Sequence, residues 1–569
     1  MMFTALGTII NALIDTALVS KCLGVRGIAA LNLCMPVYLF ICMMGMLFST
    51  GAVTLSARAA GRNEPRVERE YYHTACTLFI ITGAFISAVG IIFLPVLCGF
   101  LSNGNMEVSG LVYDYVLVIL PGVLPMMTAS FFLMYLNLED KNREMVVSIL
   151  IMVFADFLLD LLLMYVFGLG MKGAAWASVI SSLACSAYSF FELSRGSTNY
   201  RFNIKELGLK HTVEIIRYGS PSALANLEDT IKALFVNKVI MLGLGTGGVA
   251  LLGVLNTLIE LSIAISSGVS MTAAPLTASF YSSKDNGAVR YLVKLQMRTG
   301  IMLMSIYSTG VLVLSKSIGN GFQFSKDIFL PLLCMSIFLL TDIVVCVYIK
   351  YFNCTGKILL SNLLNFINRL GCPVLMLFIL FRMKGYLWMF LPAGGLMSLI
   401  LSFAAMKLAQ AWSRKNTHPY DDILLLDDHL QRENKVLDFS LKTDSVSICE
   451  GSQQIIGICL DCGTSMRTAR DISLAVEEIL MVLVKASPEA KSIDLRLFVA
   501  ENEAGLQIQV PGEKYNIFEH DEGDAFMGVD IIQKIASRIS FNYSYILECN
   551  TYQIFFQYAQ NKVPQFSPT

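Results

Sequence analysis

Six carboxylates of this chain lie within stretches that are apolar enough to cross a membrane: Asp15, Asp156, Asp160, Asp229, Glu260 and Asp342. A charged group at the bilayer centre costs about 2.5–3.5 kcal/mol on insertion scales, so it is retained where it faces a bundle interior or a water-filled cavity. Asp156 and Asp160 are four residues apart and therefore share one face of a helix. Clustered, buried carboxylates retain protons readily. The pattern predicts a polytopic membrane protein with proton- or cation-linked chemistry.

The composition also indicates a membrane protein. The chain has 569 residues, of which 55% are hydrophobic and 15% are charged, whereas soluble domains carry roughly 25% charged residues. The formal net charge is −1, which leaves no excess of basic residues for binding nucleic acid. Fourteen cysteines are scattered through the chain, many of them in apolar runs, which argues against a secreted disulfide framework.

The chain divides into a membrane part and a soluble part near residue 413. Before it, we count about twelve apolar runs near the 20 residues that a helix needs to cross a bilayer: 1–20, 28–53, 72–98, 108–134, 145–168, 171–192, 215–243, 248–276, 290–315, 327–350, 358–381 and 385–412. Lys and Arg are concentrated in alternate loops of the first half, among them Arg58, Arg62, Arg66 and Arg69. The positive-inside rule then predicts that both termini are cytoplasmic.

A weak internal repeat divides the membrane part in two. The motif at Gly24-x-x-Gly27 recurs at Gly245-x-x-Gly248, and Met171-Lys172-Gly173 recurs at Met383-Lys384-Gly385. The offsets, about 210 to 220 residues, predict two six-helix lobes, residues 1–206 (the N half) and 207–412 (the C half). Repeats of this kind are typical of transporters, whose sites lie at or between the halves.

Several segments together resemble the multidrug and toxic compound extrusion (MATE) family. They follow in the family's order and spacing over about residues 1–412: Asp15–Val19 with Leu23-Gly24 and Ile28–Leu31, Gly51-Ala52 with Ser56–Gly61, Leu159–Leu161 with Gly168–Gly170 and Lys172–Ser178, and Gly219–Ala223. The resemblance implies an antiporter of the bacterial cytoplasmic membrane that works by alternating access. It implies export of small organic cations or drug-like molecules in exchange for H⁺ or Na⁺, with no further cofactor.

The resemblance also gives the carboxylates roles. Asp15 and Asp160 match the acidic positions that the family uses for H⁺ or Na⁺ in the N half, and Asp156 falls where many relatives have asparagine. In the C half, Asp229 and Asp342 match the acids of the seventh and tenth spans. Glu228, one residue earlier in the chain, is the alternative to Asp229 at the acidic position of the seventh span. Glu260 matches no position that has a role in the family. Arg369, inside the eleventh span, is a candidate ion-pair partner for one of these acids.

The remaining chain predicts a cytoplasmic α/β domain. A linker covers 413–434, the domain 435–560 and a tail 561–569. The residue pattern predicts a strand over 436–448, a helix over 466–486 and a helix over 529–536. The amphipathic face of the second element consists of Ile472, Ala475, Val476, Ile479 and Leu483. The order of helices and strands in this domain resembles the histidine-kinase-like ATPase fold, in particular the anti-sigma-factor serine kinase branch. The matching segments are Ala475–Ile479, Gly528–Ile532, and Asn550 with Tyr552–Phe556.

The residues that would recognise ATP in such a fold are missing. Val482 stands where the resemblance expects the Mg²⁺-binding asparagine, and residues 510–512 lack the aspartate that would read adenine. Glu478, Gly528 and Asn550 remain as traces of a nucleotide site that has been lost. We therefore expect a regulatory domain that binds a cytoplasmic protein. The alternative for the whole chain is a membrane-anchored sensor whose C-terminal domain binds that partner.

Two further motifs carry no chemistry. Cys459-x-x-Cys462 has no second cysteine pair and no histidine at zinc-finger spacing, so we expect buried structural thiols. The glycine-rich run 243–248 lacks the Lys-Ser/Thr ending of a phosphate-binding loop, which argues against an ATP-driven transporter. We expect an antiporter without enzymatic activity.

Overall fold

The computed structural model describes residues 2–61, 64–196, 200, 208–324, 328–416, 420, 422–428, 435–486, 492–500, 503–518, 535–544 and 549–557. These residues form two compact units. One comprises residues 1–273 and 294–405, and the other comprises 274–293 and 406–569. The predicted boundary between the two six-helix lobes, at 206/207, stays a prediction.

Helices make up the membrane part. They are α1 (Met2–Gly61), α2 (Pro65–Ile92), α3 (Leu94–Leu101), α4 (Met106–Ile119), α5 (Val123–Leu138), α6 (Asn142–Asp160), α7 (Met171–Gly196), α8 (Thr212–Ser282), α9 (Asn286–Val313), α10 (Ser315–Gly321), α11 (Phe329–Cys354), α12 (Ile358–Phe366), α13 (Cys372–Arg382) and α14 (Phe390–Asn416). A π-helical turn, Leu161–Val166, extends α6, and another, Ile367–Gly371, joins α12 to α13.

The number of membrane crossings follows from the breaks in these helices. Among the described residues, eight helical segments are long and apolar enough to cross a membrane, and two bent pairs, α4 with α5 and α9 with α10, bring the number to ten. Two of the ten, α1 and α8, each contain two helices joined at Gly24 and Gly245. Counting both helices at each break gives twelve helical segments, while the predicted number of about twelve membrane crossings stays a prediction.

The two glycine breaks support the internal repeat. Gly24 has φ 65° and ψ −159°, and Gly245 has φ 69° and ψ −161°, a region of backbone conformation that essentially only glycine adopts. Three residues on, a Cβ on Gly27 would lie 2.5 Å from Cβ of Leu23, and a Cβ on Gly248 would lie 2.3 Å from Cβ of Leu244. Both motif glycines are thus required for the same steric reasons in each half.

Within its described residues, the C-terminal domain contains one five-stranded sheet and two helices. The strands are β1 (Val436–Lys442), β2 (Ser492–Val499), β3 (Glu503–Pro511), β4 (Arg538–Ser544) and β5 (Cys549–Gln557), in the antiparallel order β1-β2-β3-β5-β4. The helices are α15 (Ser445–Asp461) and α16 (Met466–Ala486). The predicted amphipathic face of α16 is buried in the domain core: Ile472, Ala475, Val476, Ile479 and Leu483.

One boundary in this domain differs from the prediction. We predicted a strand over 436–448, but β1 ends at Lys442 and α15 begins at Ser445. Asp444 stops the strand because its side chain caps the helix, accepting a hydrogen bond from the backbone N–H of Ser447 at 2.9 Å. This bond holds the pKa of Asp444 below its ordinary value. The predicted helix over 529–536 lies almost wholly outside the described residues.

The glycine breaks give a test of the repeat. We expect Gly24→Ala and Gly245→Ala each to destabilise the protein by about 1–3 kcal/mol, because alanine is strained in this backbone conformation. The measurement is the thermal unfolding midpoint of the purified protein in detergent. Gly110→Ala in α4 is the matched control, since no atom lies within 4 Å of the added Cβ. A midpoint for Gly24→Ala or Gly245→Ala equal to that of the control contradicts the steric requirement.

Candidate functional site

The three predicted acids of the N half come together. Asp156 and Asp160 on α6 are 5% and 2% exposed, and the carboxyl groups of Asp160 and Asp15 on α1 are within hydrogen-bonding reach of each other. A carboxylate only accepts hydrogen bonds, so a bond between two carboxyl groups requires that one of them carries a proton. The hydroxyl of Ser181 on α7 donates to Oδ1 of Asp156 at 3.1 Å.

The orientation of α6 explains how these acids become buried. Leu150, Phe154 and Leu158 recur every four residues and are 48%, 69% and 63% exposed, which gives the helix an apolar outer face. Asp156 and Asp160 lie on its other face, against the bundle. A charged pair inside a membrane helix is tolerated in this arrangement.

The N-half cluster has acceptor atoms without a donor. Oδ1 of Asp15 and Oδ1 of Asp160 are both buried, and neither accepts a hydrogen bond within the part of the chain that the structure describes. A buried acceptor left without a donor costs about 1–3 kcal/mol. A bound proton or cation would remove that cost, so the cluster has the chemistry of an ion-binding site.

A π-helical turn follows this cluster and has a counterpart in the C half. Leu161–Val166 begins directly after Asp160, and Ile367–Gly371 contains Asn368 and Arg369. Single π-helical turns are frequent at functional sites because they redirect side chains relative to the rest of the helix. Neither turn is predicted by the residue pattern.

In the C half, Asp229 forms an ion pair. Oδ2 of Asp229 lies 2.9 Å from a guanidinium nitrogen of Arg369, and Oδ1 lies 3.6 Å from Nζ of Lys232. Arg369 was the predicted partner for one of the acids, whereas Lys232 was missed. Asp229 therefore already has cationic neighbours within the protein.

Asp342 is held by neutral groups. The Asn368 side chain donates to Oδ1 of Asp342 at 2.6 Å, and Ser398 in turn donates to Oδ1 of Asn368 at 2.7 Å. The thiol of Cys346 lies 3.5 Å from Oδ2 of Asp342. Asn368 and Ser398 were not identified from the sequence, because a polar residue in an apolar span does not reveal its partner.

A cavity of about 230 Å³ brings the C-half acids together. Asp229, Glu260 and Asp342 line it, together with the bases Lys232, Lys350 and Arg369. On the part of α8 that follows the break at Gly245, the lining runs from Leu252 to Ser270, a rise of about 27 Å along the helix, comparable to the thickness of the hydrocarbon core. The N-half acids do not line this cavity.

The geometry separates Glu228 from Asp229, the two alternatives at the seventh span. Asp229 lines the cavity, whereas Glu228 is 7% exposed and accepts a hydrogen bond from Asn365 at 2.9 Å. Glu228 is outside the described cavity lining. The arrangement favours Asp229 as the cavity acid.

Contacts between the N and C halves were not foreseen. Asn32 donates to Oδ1 of Asn237 at 2.9 Å, Asn237 donates to the carbonyl of Asn32 at 2.8 Å, and Asn256 donates to Oδ1 of Asn32 at 3.2 Å. At a second point the backbones touch, because a Cβ on Gly219 would lie 1.7 Å from the carbonyl oxygen of Leu47. Small residues permit this close approach of membrane helices.

Of the three residues that the sequence names as traces of a nucleotide site, Glu478 and Asn550 lie within the described residues. Asn550 is 1% exposed and fastens a loop, since its side chain donates to the carbonyl of Glu513 at 2.7 Å and accepts from the N–H of Tyr515 at 2.9 Å. Glu478 is half-buried on α16, Val482 is buried in the core, and Gly528 lies outside the described residues. Cys459 is fully buried, and burial raises the pKa of its thiol to about 12, as a structural thiol requires.

This domain and the segment 274–293 belong to the same compact unit. The segment contains the end of α8 and the start of α9. Arg496 on β2 lies 2.7 Å from Asp438 and 3.3 Å from Asp285, and it donates to the carbonyls of Ser283 and Lys284, each at 3.1 Å. A second arginine, Arg290 on the segment itself, forms ion pairs with acids that precede the domain. These acids are Asp422, at 2.7 Å, and Asp428, at 2.6 Å.

Comparisons with known proteins agree with this architecture. The family model MatE matches residues 1–166. The multidrug export protein MepA of Staphylococcus saprophyticus is 23% identical over 296 residues, covering 49% of this chain and 62% of that protein. MepA of Staphylococcus haemolyticus is 22% identical over 312 residues, covering 53% of this chain and 66% of that protein. The chain thus spans a little under two thirds of the length of these relatives.

Solved structures of the same kind share the fold. An inward-facing multidrug resistance MATE family transporter superimposes with a TM-score of 0.65 at 19% identity, covering 72% of this chain and 96% of that one. An outward-facing structure has a TM-score of 0.56 at 19% identity, covering 73% and 95%. The membrane part is a polytopic helical structure with the fold of MATE transporters.

The Asp229–Arg369 ion pair can be tested by a double-mutant cycle. We expect Asp229→Asn and Arg369→Gln each to lower stability and the double variant to lose less than their sum, with a coupling of about 1–3 kcal/mol, because each single change leaves a partly buried charge without its partner. Thermal unfolding in detergent measures it. The Asp114–Lys172 pair, at 3.3 Å and more exposed, is the control and should couple by about 0–1 kcal/mol. Equal coupling in both pairs contradicts the assignment.

Proposed function

We propose that this protein is a secondary active exporter that moves small organic molecules, cationic or drug-like, across the bacterial cytoplasmic membrane in exchange for H⁺. The observation that carries the proposal is the buried Asp15–Asp160 carboxyl pair, with its unsatisfied oxygen atoms, inside a MATE-like helix bundle. The relatives named as multidrug export proteins support the direction of transport and the class of substrate. Both termini face the cytoplasm in this proposal.

The choice of H⁺ over Na⁺ rests on the charges in the two halves. Asp15 and Asp160 are in hydrogen-bonding reach of each other and need one proton between them. In the C half, Arg369 and Lys232 already neutralise Asp229. The coupling ion is therefore a proton held by the N-half cluster. Loss of that proton leaves repelling carboxylates, and this electrostatic change drives the exchange between states.

The residue-by-residue role of the cluster follows from its contacts. Asp15 and Asp160 share the transported proton. Asp156 accepts a hydrogen bond from Ser181 and lies on the same face of α6 as Asp160, so its carboxyl group is the third member of the cluster. Substrate occupies the cavity in the C half, so the proton site and the substrate site are distinct. Binding at one site is coupled to binding at the other through the contacts between the two halves.

Transport assays test this coupling. In everted membrane vesicles with an imposed pH gradient, we expect Asp15→Asn and Asp160→Asn to lower the initial uptake rate of a fluorescent organic cation at least ten-fold, because the amide cannot exchange a proton. Asp140→Asn, at an exposed position in a loop, is the control and should transport like the wild type.

Two outcomes of the same assay contradict the proposal. Wild-type uptake by both variants removes the coupling role and favours the sensor alternative. Uptake driven by a Na⁺ gradient alone, with no pH gradient, shows that the coupling ion is Na⁺ instead.

The C-terminal domain is proposed to regulate the transporter through the segment 274–293. Supporting this role, Arg496 and Arg290 fasten the segment by ion pairs, and the segment continues covalently into α8 and α9. Nucleotide binding is not part of the proposal, because Val482 in the core offers no metal ligand. The resemblance of this domain to the histidine-kinase-like ATPase fold stays a prediction.

A cytoplasmic protein partner is the second element of this proposal. On α16, Met466, Leu474 and Met481 are 50%, 46% and 46% exposed, and the last two are seven residues apart on one helix face. An exposed apolar stripe of this kind favours a helix-binding partner. The same observation is what favours the alternative function, a membrane-anchored sensor.

Arginine variants test the regulatory contact. We expect Arg496→Met to raise backbone hydrogen exchange in residues 274–293 about ten-fold and to change the uptake rate in vesicles at least three-fold, because the segment loses two hydrogen bonds to its carbonyl groups and the ion pair of Asp285. Arg470→Met, exposed on α16, is the control. Faster exchange with an unchanged uptake rate means that the contact is structural and that the regulatory proposal is wrong.

A further inference from the structure

The cavity of the C half carries as many bases as acids. Lys232, Lys350 and Arg369 face Asp229, Glu260 and Asp342 across it. A cavity built for a purely cationic molecule should present an excess of negative charge, because the entering cation loses its hydration and needs a counter-charge. The charge balance of the lining therefore constrains the substrate.

Four of these six groups are already engaged within the protein. Arg369 and Lys232 share Asp229, and Asp342 accepts hydrogen bonds from Asn368. These contacts compensate their charges without any ligand. The groups that remain decide what the cavity can recognise.

Glu260 and Lys350 are the remaining two. Within the described residues, neither forms an ion pair or a hydrogen bond. Glu260 lies close enough to Lys232 for a longer-range electrostatic interaction. Glu260 is half-buried on α8, and Lys350 is exposed on α11. One free acid and one free base thus face the same cavity from different helices.

The helix α11 gives the position of Lys350 relative to Asp342 along the cavity. Asp342, Cys346 and Lys350 line it at intervals of four residues, so they follow one face of α11. Lys350 is about 12 Å along the helix from Asp342. The cavity lining is therefore polar around Asp342, and the basic group of Lys350 lies well away from Asp342.

We propose that the exported substrate is amphoteric, with an ammonium group bound by Glu260 and an acidic group bound by Lys350. A molecule with only a positive charge leaves Lys350 without a counter-charge, and a molecule with only a negative charge does the same to Glu260. An amphoteric molecule satisfies both and leaves the Asp229–Arg369 pair intact. The inference rests on the proposed transport function and narrows its substrate class from organic cations to molecules that also carry an anionic group.

Binding of three matched probes tests the inference. The probes share one fluorescent naphthalene scaffold and carry a quaternary ammonium, a sulfonate, or both on linkers of different length. With the purified full-length protein, we expect the best doubly charged probe to bind at least ten-fold more tightly than either singly charged one, a difference of 1.4 kcal/mol.

Two variants assign the ends of the substrate. Glu260→Gln should weaken the doubly charged probe to the affinity of the sulfonate and leave the sulfonate unchanged. Lys350→Met should weaken it to the affinity of the ammonium and leave the ammonium unchanged. This crossed pattern distinguishes recognition from a loss of folding, which would weaken all three probes. Lys316→Met, exposed and outside the cavity lining, is the control and should change none of them.

The outcomes separate this inference from the transport proposal. An ammonium probe that binds within two-fold of the doubly charged one, an unchanged affinity in Lys350→Met, or the absence of binding by all three probes overturns the amphoteric substrate. Selective binding without uptake of the doubly charged probe in pH-gradient-loaded vesicles leaves the recognition assignment in place and counts against the transport function.

Discussion

The structure depends on one constraint: a carboxylate inside a membrane must be neutralised by a proton, a counter-charge or hydrogen bonds. The two halves meet it differently. In the N half, Asp15 and Asp160 come within reach of each other, and no donor among the described residues reaches one buried oxygen atom of each. In the C half, Arg369 and Asn368 compensate Asp229 and Asp342 directly. The N half is therefore suited to exchange an ion, and the C half to hold a fixed arrangement of charges around a cavity.

Backbone geometry brings these side chains to their places. The breaks at Gly24 and Gly245 separate paired crossings within α1 and α8, in nearly the same conformation. The π-helical turns alter side-chain direction at Asp160 and around Arg369, which a regular helix would not do. The contacts of Asn32 with Asn237 and Asn256 join the two halves of the membrane part at positions next to the cavity.

Much of the membrane part was predictable from local patterns. Apolar run length gave the crossings, because a helix must satisfy its backbone hydrogen bonds internally in lipid. The glycine repeat gave the two breaks, because no other residue adopts that conformation readily. The partners of the acids were less predictable. Arg369 was foreseen as a partner, but its pairing with Asp229 depends on how α8 packs against the π-helical turn that contains Arg369. In the C-terminal domain, the amphipathic pattern predicted α16, while the cap by Asp444 ended β1 earlier than the apolar pattern indicated.

The sequence by itself determined that acids lie within spans, that two halves repeat, and that a domain with strands follows, because these properties depend on residue type and spacing along the chain. Only the tertiary structure decided which acids are compensated. Asp229 and Glu228 are adjacent in sequence, yet one lines a cavity beside Arg369 and the other is bonded to Asn365. Glu260 and Lys350 are 90 residues apart, yet both line one cavity. Neutralisation acts over a few ångströms in space, and spacing along the chain does not contain that distance.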